Sequence, residues 1–452
     1  MFRKKTYLPP EATYKEVWSK GDIFAKLSFF VMGLFQLKNK QWLKGLLLLA
    51  SEVIIIGWLL FSGFKAISML GTLGTVKTKK VVWDASEGVY NTLLPDNSML
   101  YLLFGVFALV AIGLLIFLYV VHLRSLRHLY ALNRDNKHVP TTLEDLSSLL
   151  DDKLYITLMV LPLLGILAFT VAPLIFMITL AFTNYDTQHL IGFSWTGLSA
   201  FAQVFQGDYG KAFFPLLLWT IVWAVAATFT TFLGGVLLAL LIESNGVKFK
   251  GFWRTVFVVV FAVPQFVSLL LMGMFLDDHG PINSVLQNAH WIKGPIQFLS
   301  DPILAKISVI GVNMWIGIPV TMLVSTAIIQ NLSQDQIEAA KIDGANTFQV
   351  FKSITFPQIL FVLTPTLIQQ FIGNFNNFNV IYLLTGGGPN TDNNLANAQA
   401  GTTDLLITWL YKLTTQSTRN YALASAIGII IFVITATASL ALYRRTNAFK
   451  EG

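Results

Sequence analysis

The sequence predicts an all-α membrane protein that crosses the bilayer about eight times. Of its 452 residues, 54% are hydrophobic and only 12% are charged. A soluble protein of this length needs far more charge to cover its surface, whereas lipid-facing helices need none. Apolar runs of about 20 residues also recur along the chain, and each is long enough to cross a hydrocarbon core of roughly 30 Å. The chain is therefore expected to be a polytopic protein of the lipid bilayer.

Eight apolar segments are the predicted spans, at residues 43–64, 99–121, 154–182, 212–242, 254–276, 303–329, 358–384 and 421–443. The third and fourth exceed one membrane thickness, so we expect them to tilt or to extend into water. Helices in lipid tolerate proline where neighbouring groups satisfy the freed carbonyls, so prolines inside these spans predict kinks rather than breaks. These prolines are Pro162, Pro173, Pro264, Pro319 and Pro365.

Three segments outside the core spans have distinct compositions. Within the N-terminal residues 1–42, Ile23 to Leu37 is apolar, is too short to span a membrane and is flanked by lysines, which predicts an amphipathic helix in the headgroup region. Residues 43–152 are expected to form a peripheral two-helix hairpin, whose outside loop 65–98 is polar enough for a small cap. The outside loop 386–420 is rich in turn-forming residues, so we expect it to be irregular and mobile.

Lysine and arginine indicate the orientation. They are concentrated in residues 1–42 and in every second connecting segment thereafter. The positive-inside rule then places both termini and the loop 330–357 in the cytoplasm. The net charge of +7 is explained by this topology, so no nucleic-acid partner is expected.

The chain lacks the motifs of catalysis and of ion coupling. It has no cysteine, which excludes disulfides, thiolate metal sites and cysteine nucleophiles. It has no phosphate-binding GxxxxGK[ST] loop and no metal-binding histidine spacing, so we predict no enzyme, no catalytic residue, no metal and no cofactor. Glu52 is the clear ionisable residue deep inside a span, either hydrogen-bonded to a neighbouring helix or serving as a proton relay. Energy is therefore expected to enter from outside the membrane.

The cytoplasmic loop contains the segment EAAKIDGANTFQVFKSITFP, from Glu338 to Pro357. A helix begins near Glu338, and Gly344 permits a turn that a Cβ would resist. Ala339 is small enough for close helix contact, and Glu338 and Asp343 offer charge to a partner. This pattern predicts a helix–turn–helix at the membrane surface that a soluble partner can contact.

A second informative segment, QFIGNFNNFNVIYLL, runs from Gln370 to Leu384. At 100° per residue, Gln370, Asn374 and Asn377 share one helix face, whereas Asn379 falls on the far side. Asparagine carries a donor and an acceptor on one plane, which matches paired sugar hydroxyls. The same amides are equally suited to bonding one helix to another. The spacing leaves both interpretations open.

These segments together resemble the larger permease subunit of bacterial maltose/maltodextrin importers, from about residue 154 to the C-terminus. The cytoplasmic loop is shared by many importers driven by ATP-binding-cassette (ABC) subunits, whereas NFNNF followed by LLTGGGP resembles the malto-oligosaccharide branch. The most specific matches are FVVVFAVPQFVSLLLMGMF (257–275), VNMWIGIP (312–319), EAAKIDGA (338–345) and NFNNFNVIYLLTGGGP (374–389).

The resemblance implies a type I ABC importer fold in a bacterial cytoplasmic membrane. Residues 153–452 would form a six-helix permease core, with about 212–443 shared among ABC importers and 330–357 as the coupling loop. The implied partners are a second homologous permease subunit, a dimeric cytoplasmic ABC ATPase and an extracytoplasmic sugar-binding protein. Because only residues 184–211 separate the third and fourth spans, the loops 65–98 and 386–420 are expected to dock the binding protein.

The resemblance also implies a sugar site midway across the membrane. Asn374 and Asn377 match the family pattern, whereas four positions depart from it and exchange aromatic packing for amide groups or open volume. Asn379 needs a local helix irregularity to join the face of Asn374. The implied sugar-binding residues are Ile316, Gly317, Val320, Gln370, Gly373, Asn374, Asn377 and Asn379, and the implied ATPase-coupling residues are Glu338, Ala339, Asp343 and Gly344.

The predicted function is that of a permease that moves maltose and maltodextrins into the cytoplasm by alternating access, powered by a separate ATPase. A permease for another oligosaccharide or polyol is the alternative within the same class. An ion-coupled secondary transporter is the alternative from a different class, and the scarcity of buried charge speaks against it.

Overall fold

The computed structural model describes residues 12–84, 88–244, 246–416 and 419–445. Helices dominate this part of the chain, as the sequence predicts. The strands within it are β1 (Lys80–Asp84) and β2 (Val89–Leu93), which form an antiparallel hairpin in the predicted outside loop 65–98. The chain divides into two compact units, Met1–Thr196 and Gly197–Gly452.

Within the described residues, seven helices are long and apolar enough to cross a membrane. An eighth apolar segment is a bent pair, Lys250–Ala262 and Gln265–Phe275, with 90° between its halves. The seven are Trp42–Leu70, Ser98–Arg134, Leu154–Leu180, Gly207–Glu243, Pro302–Gln330, Thr347–Phe375 and Tyr421–Arg444. The prediction of about eight spans is confirmed.

Pro264 breaks the bent segment, so the prediction of a kink at this proline is wrong. The preceding residue, Val263, has φ −99° and ψ 129°, which is an extended conformation. Proline excludes its predecessor from the helical region by steric clash, and here no helical turn bridges the gap.

The first unit contains nine described helices and two π-helical turns, Leu59–Gly63 and Leu167–Val171. The π-helical turns join helices into continuous spans. The helices are α1 (Tyr14–Lys20), α2 (Ile23–Leu27), α3 (Leu34–Lys38), α4 (Trp42–Trp58), α5 (Phe64–Leu70), α6 (Ser98–Arg134), α7 (Thr142–Leu150), α8 (Leu154–Ile166) and α9 (Ala172–Leu180).

The N-terminal amphipathic segment is two short helices rather than the single helix predicted over 23–37. Gly33 separates α2 from α3 with φ 90°, a conformation that favours glycine. A Cβ at Gly33 would lie 2.2 Å from the Gly45 carbonyl oxygen, so the turn packs directly on α4. Residues 1–11 of the predicted N-terminal segment lie outside the described residues.

Glu52 fastens this turn to α4. Its Oε2 accepts a hydrogen bond from the Met32 backbone N–H at 2.7 Å. This half-buried carboxyl satisfies a backbone donor at the turn. This contact supports the interpretation of Glu52 as a hydrogen-bonded structural group.

The loop 65–98 of the first unit is ordered by Asp96. Its carboxylate accepts hydrogen bonds from the backbone N–H groups of Thr75 at 2.6 Å and Val76 at 2.9 Å. These donors favour the ionised form, so they hold the pKa of Asp96 below its usual value. The loop is a small structured cap, as its composition predicts.

The second unit begins at Gly197, so its boundary differs from the start of the six-helix core predicted at 153. It also contains a 3₁₀ turn, Val259–Ala262, and a π-helical turn, Phe351–Thr355. Its helices are α10 (Ser199–Val204), α11 (Gly207–Glu243), α12 (Lys250–Val258), α13 (Gln265–Phe275), α14 (Pro281–Asn288), α15 (Pro302–Gln330), α16 (Gln334–Ile342), α17 (Thr347–Val350), α18 (Phe356–Phe375), α19 (Phe378–Thr385), α20 (Asn393–Asn397), α21 (Leu406–Thr415) and α22 (Tyr421–Arg445).

Helices α11 and α15 pack closely because glycines remove side chains from their interface. A Cβ at Gly235 would lie 2.5 Å from the Thr321 Cβ, and one at Gly317 would lie 2.6 Å from the Thr231 Cγ2. Small residues allow such close backbone approach between membrane helices. This contact sets the middle of α15 against the middle of α11.

The segment 386–420 is packed where it is described, so it is less irregular than its composition predicts. It contains α20 and α21, and Leu405, Leu406 and Trp409 are fully buried. The Trp409 indole N–H donates to the Ala398 carbonyl at 2.7 Å. Turn-forming residues predict the absence of a long helix, but they do not reveal apolar anchors further along the same segment.

Candidate functional site

A polar cluster lies where α11, α15 and α18 meet. Thr228 lies near the middle of α11, and Asn313 lies near the middle of α15. Asn374 lies in the last turn of α18 and is only 7% exposed. Buried amides and hydroxyls in an apolar protein need hydrogen-bond partners, and here they find one another.

The chain breaks within the asparagine-rich segment, so the prediction of one span over 358–384 is wrong. Helix α18 ends at Phe375, and Asn377 is the N-cap of α19, with its Oδ1 accepting from the Val380 N–H at 3.2 Å. The Asn376 side chain donates back to the Ile372 carbonyl at 3.2 Å. Asparagine side chains compete for backbone groups and favour caps over helix interiors. The cluster of asparagines is a signal for this break.

Asn374 is the stronger connection between helices. Its Nδ2 donates to the Thr228 Oγ1 at 3.0 Å, and its backbone carbonyl accepts from the Trp223 indole N–H at 2.9 Å. Both distances are typical of well-formed hydrogen bonds. The interhelical interpretation therefore describes Asn374 well.

Asn377 is held more weakly and is half-buried. Its Nδ2 lies 3.3 Å from the Asn313 Oδ1 and 3.4 Å from the Asn374 Oδ1. These separations exceed the usual range for N–H···O bonds, so a better acceptor would displace them at little cost. Asn377 is therefore the amide of this cluster best able to exchange partners.

The other predicted site residues differ in how far the chain covers them. Gly317 packs against Thr231, which allows the close contact between α15 and α11. Ile316 and Gln370 are half-buried. Val320 is 48% exposed, and a Cβ at Gly373 would meet nothing within 4 Å. Asn379 is exposed on α19 and takes no part in the hydrogen bonds that join Thr228, Asn313, Asn374 and Asn377.

An aromatic cluster follows the amides along the chain, and the sequence pattern did not reveal it. The rings of Phe378 and Tyr382 stack with centroids 4.8 Å apart and 20° between their planes. Tyr411 of α21 packs edge-on against both rings, with centroids 4.9 and 5.1 Å away. Tyr411 is distant in sequence, and only the packing of α21 brings it to Phe378.

A buried ion pair holds the segment that follows the aromatic cluster. The Lys412 Nζ donates to the Asp404 Oδ2 at 2.5 Å, and the Asp404 carboxylate also accepts from the Gly401 N–H at 2.7 Å and the Thr408 hydroxyl at 2.8 Å. Burial raises the pKa of Asp404, and the Lys412 ammonium opposes that shift. A Cβ at Gly387 would lie 1.9 Å from the Asp404 Oδ1, so the glycine-rich turn rests on this carboxylate.

The loop 330–357, which is predicted to be cytoplasmic, has the helix–turn–helix that its sequence predicts. Helix α16 ends at Ile342, Gly344 turns with φ 84°, and α17 begins after Asn346, which forms a capping box with Gln349. The left-handed conformation explains the glycine, because an L side chain resists it. The hairpin is thus built from local caps.

The predicted coupling residues Glu338, Ala339, Asp343 and Gly344 are all exposed on this hairpin. Two apolar side chains that the sequence interpretation omitted accompany them. Ile342 is 86% exposed and Phe348 is 69% exposed. Large apolar groups in a polar loop are a signal of an interaction surface.

Among the described residues, no cluster of three or more His, Asp or Glu side chains is placed to hold a metal ion.

Comparison with known proteins finds one family and several similar chains. The model of the binding-protein-dependent transport system inner membrane component matches residues 231–448. The galactooligosaccharides transport system permease protein GanP of Bacillus subtilis is 35% identical over 438 residues, 94% of this chain and 98% of that protein. The maltodextrin transport system permease protein MdxF of the same organism is 32% identical over 436 residues, 94% of this chain and 96% of that protein.

A solved structure gives a similar result for the fold. A bacterial ABC transporter involved in the import of the acidic polysaccharide alginate contains a chain that matches with a TM-score of 0.54 and 23% identity. The match covers 67% of this chain and 98% of the other.

Proposed function

Because this chain belongs to the binding-protein-dependent transport permease family, we propose that it moves malto-oligosaccharides into the cytoplasm. Its fold is that of type I ABC importer permeases. It is a multi-pass permease subunit of an ABC sugar importer and not an enzyme. The identity of the sugar, the residues that bind it and the partner subunits are what we propose here.

The amide cluster of Asn313, Asn374 and Asn377 is the observation that carries the proposal. It lies beside the middle of two spans, where polar groups are costly and mark substrate pathways. The Asn377 amide has long bonds of 3.3 and 3.4 Å to protein acceptors. A sugar hydroxyl offers both a donor and an acceptor and would replace these bonds, with Asn374 as the fixed neighbour.

The residues around the cluster extend this proposed site. Val320 and Gly373 are uncovered in this chain, so they leave room for a sugar ring or for the second permease subunit. Ile316 follows Asn313 by three residues on α15, and Gln370 precedes Asn374 by four residues on α18, so each lies one helical turn from an amide of the cluster. Gly317 maintains the close contact of α15 with α11. Asn379 is the residue least supported by its position, because it is exposed beyond the helix break.

Galactooligosaccharides are the second candidate substrate. The relative named for them is 35% identical over nearly the whole chain, and the relative named for maltodextrin is 32% identical. Both sugars are neutral and rich in hydroxyls, so an amide cluster suits either one.

The proposed mechanism is alternating access driven through the cytoplasmic hairpin. A dimeric ABC ATPase would bind Glu338, Ala339, Asp343 and Gly344, with Ile342 and Phe348 as apolar anchors. Closure of the ATPase would move α16 and α17, and α18 follows them directly in the chain. The Gln358 Nε2 donates to the Gln336 Oε1 at 3.0 Å, which joins α18 to α16.

Two further partners complete the proposed machine. A second homologous permease subunit would cover the open face of the sugar site, and an extracytoplasmic sugar-binding protein would deliver the substrate. We place both termini in the cytoplasm of a bacterial cell, because Lys and Arg concentrate on that side. The outside loops 65–98 and 386–420 are the proposed docking surfaces for the binding protein.

Uptake of labelled sugars tests the substrate. A strain that lacks this chain is complemented with it, and uptake is measured for maltose, longer glucose oligomers, galactooligosaccharides and a polyol. We expect glucose oligomers to be taken up and to compete with one another. Uptake restricted to galactooligosaccharides or to the polyol would contradict the proposal, as would uptake that persists without any ATPase.

A further inference from the structure

The first unit contains a cavity of about 390 Å³ between the beginning of α4, the middle of α6, α7 and the beginning of α8. Most of its wall is apolar. The leucines and isoleucine that form this wall are Leu43, Leu47, Leu48, Leu146, Leu149 and Ile156. Three charged side chains, Lys44, Asp145 and Lys153, also line it. Apolar walls with a few charged groups fit an amphiphile.

The position of the cavity indicates a membrane amphiphile. It lies where span α4 begins, beside Trp42, which is exposed as tryptophans at membrane interfaces are. Helix α7 forms one side, and it has no buried residue while Leu143 and Leu150 are exposed. An apolar helix face of this kind lies in the headgroup region of a bilayer.

The cavity has a defined shape, because hydrogen bonds attach α7 to the beginning of α4. The Trp42 N–H donates to the Thr142 Oγ1 at 2.7 Å, and that hydroxyl donates to the Lys40 carbonyl at 2.9 Å. The Gln41 Nε2 donates to the Pro140 carbonyl at 3.0 Å. These contacts fix the position of α7 against the beginning of α4, and so the shape of the cavity between them.

Asp145 indicates one part of the ligand. Its Oδ2 is buried and accepts no hydrogen bond within the described part of the chain. A buried carboxylate oxygen without a donor is costly, so a ligand that brings N–H groups would be stabilised here. Lys44 and Lys153 line the same cavity, are exposed, and form no ion pair among the described residues, so they are available to an anion.

We propose that this cavity binds a phospholipid of the phosphatidylethanolamine type, with its phosphate at Lys44 and Lys153 and its ammonium at Asp145. The acyl chain follows the leucines of α4 and α7 toward the bilayer. The headgroup chemistry sets the selectivity. A choline headgroup has no N–H to donate to Asp145, and a glycerol headgroup brings no positive charge to it.

Lipid retention by the purified importer complex tests the site. The complex with the full chain is equilibrated in detergent with phosphatidylethanolamine, phosphatidylcholine or phosphatidylglycerol of identical acyl chains, and bound lipid is measured by native mass spectrometry. We expect phosphatidylethanolamine to bind about tenfold more tightly than phosphatidylcholine, which corresponds to about 1.4 kcal/mol. Equal binding of these two lipids, or tighter binding of phosphatidylglycerol, would overturn the proposal.

Matched variants assign the contacts. Asp145→Asn should remove the preference for ethanolamine over choline, and Asp145→Glu should keep it because the carboxylate remains. Lys44→Gln together with Lys153→Gln should weaken both lipids, since both carry the phosphate. Lys65→Gln and Asp208→Asn alter exposed charges outside the cavity and should behave as the unaltered chain does. A preference that survives Asp145→Asn would exclude the proposed ammonium contact.

Discussion

The two asparagines of the candidate site differ in how firmly the protein holds them. Asn374 is buried and makes two hydrogen bonds to α11. Its side-chain amide donates to Thr228 at 3.0 Å, and its backbone carbonyl accepts from Trp223 at 2.9 Å. Asn377 is half-buried, caps α19 and reaches its side-chain partners only at 3.3 and 3.4 Å. The same residue type thus forms a firm interhelical hydrogen bond at position 374 and long hydrogen bonds, which a ligand could replace, at position 377.

Replacing Asn377 by leucine should weaken sugar transport at the level of binding. The substitution removes the exchangeable amide, and we expect the apparent KM for uptake to rise on the order of tenfold, as for one lost hydrogen bond in a buried site. Uptake kinetics in cells measure this effect, with the assembled complex quantified in the same membranes.

Two control variants interpret that result. Asn379→Leu alters an exposed asparagine on α19 and should leave KM nearly unchanged. Asn374→Leu should instead lower the amount of folded complex, because it removes the side-chain hydrogen bond to the Thr228 Oγ1 and leaves that half-buried hydroxyl without its donor. If Asn377→Leu reduced assembly and left KM unchanged, Asn377 would also be purely interhelical.

At the scale of elements, the segment 386–420 has a buried charge network that its turn-rich composition did not indicate. Asp404 is fully buried, and its carboxylate is shared by Lys412, Thr408 and the Gly401 N–H. The Trp219 indole N–H donates to the Thr403 carbonyl at 3.1 Å, which joins this network to α11. The network therefore positions α21, and with it Tyr411 of the aromatic cluster.

Replacing Lys412 by methionine should destabilise the complex strongly. It leaves the Asp404 carboxylate buried without its counter-charge, which costs about 3–5 kcal/mol. Thermal unfolding of the purified complex measures the loss, with Lys293→Met, at an exposed lysine, as the control. Adding Asp404→Asn to Lys412→Met should restore part of the stability, and no restoration would show that the ion pair is not the cause.

Replacing Gly344 by proline should uncouple the hairpin of α16 and α17 from the proposed ATPase. Gly344 has φ 84°, and its N–H donates to the Lys341 carbonyl at 3.0 Å, whereas proline requires φ near −65° and has no N–H. We expect membrane insertion to persist while uptake and sugar-stimulated ATPase activity are lost. Gly344→Asn tolerates the left-handed conformation and should retain uptake. Normal uptake in the proline variant would refute the coupling role.

At the scale of the whole molecule, the apolar runs and their lengths predicted the spans well. Seven continuous helices and one bent pair occur among the described residues, close to the predicted segments. This success has a simple cause, because every backbone group in lipid must bond within its own helix and only long apolar segments can supply such helices. The break at Pro264 was not foreseen, since proline permits either a kink or a full bend.

The sequence by itself determined the membrane class, the approximate number of spans, the helix–turn–helix of residues 330–357 and the family resemblance, because each depends on a short segment and its own composition. The tertiary structure alone decided which asparagine bonds to a neighbouring helix, where Tyr411 lies and that Asp404 meets Lys412. These outcomes depend on which residues meet across helices far apart in the chain. A buried polar group bonds to whichever partner packing brings within hydrogen-bond distance. The periodicity of a single segment cannot predict that partner, because the partner lies on another segment.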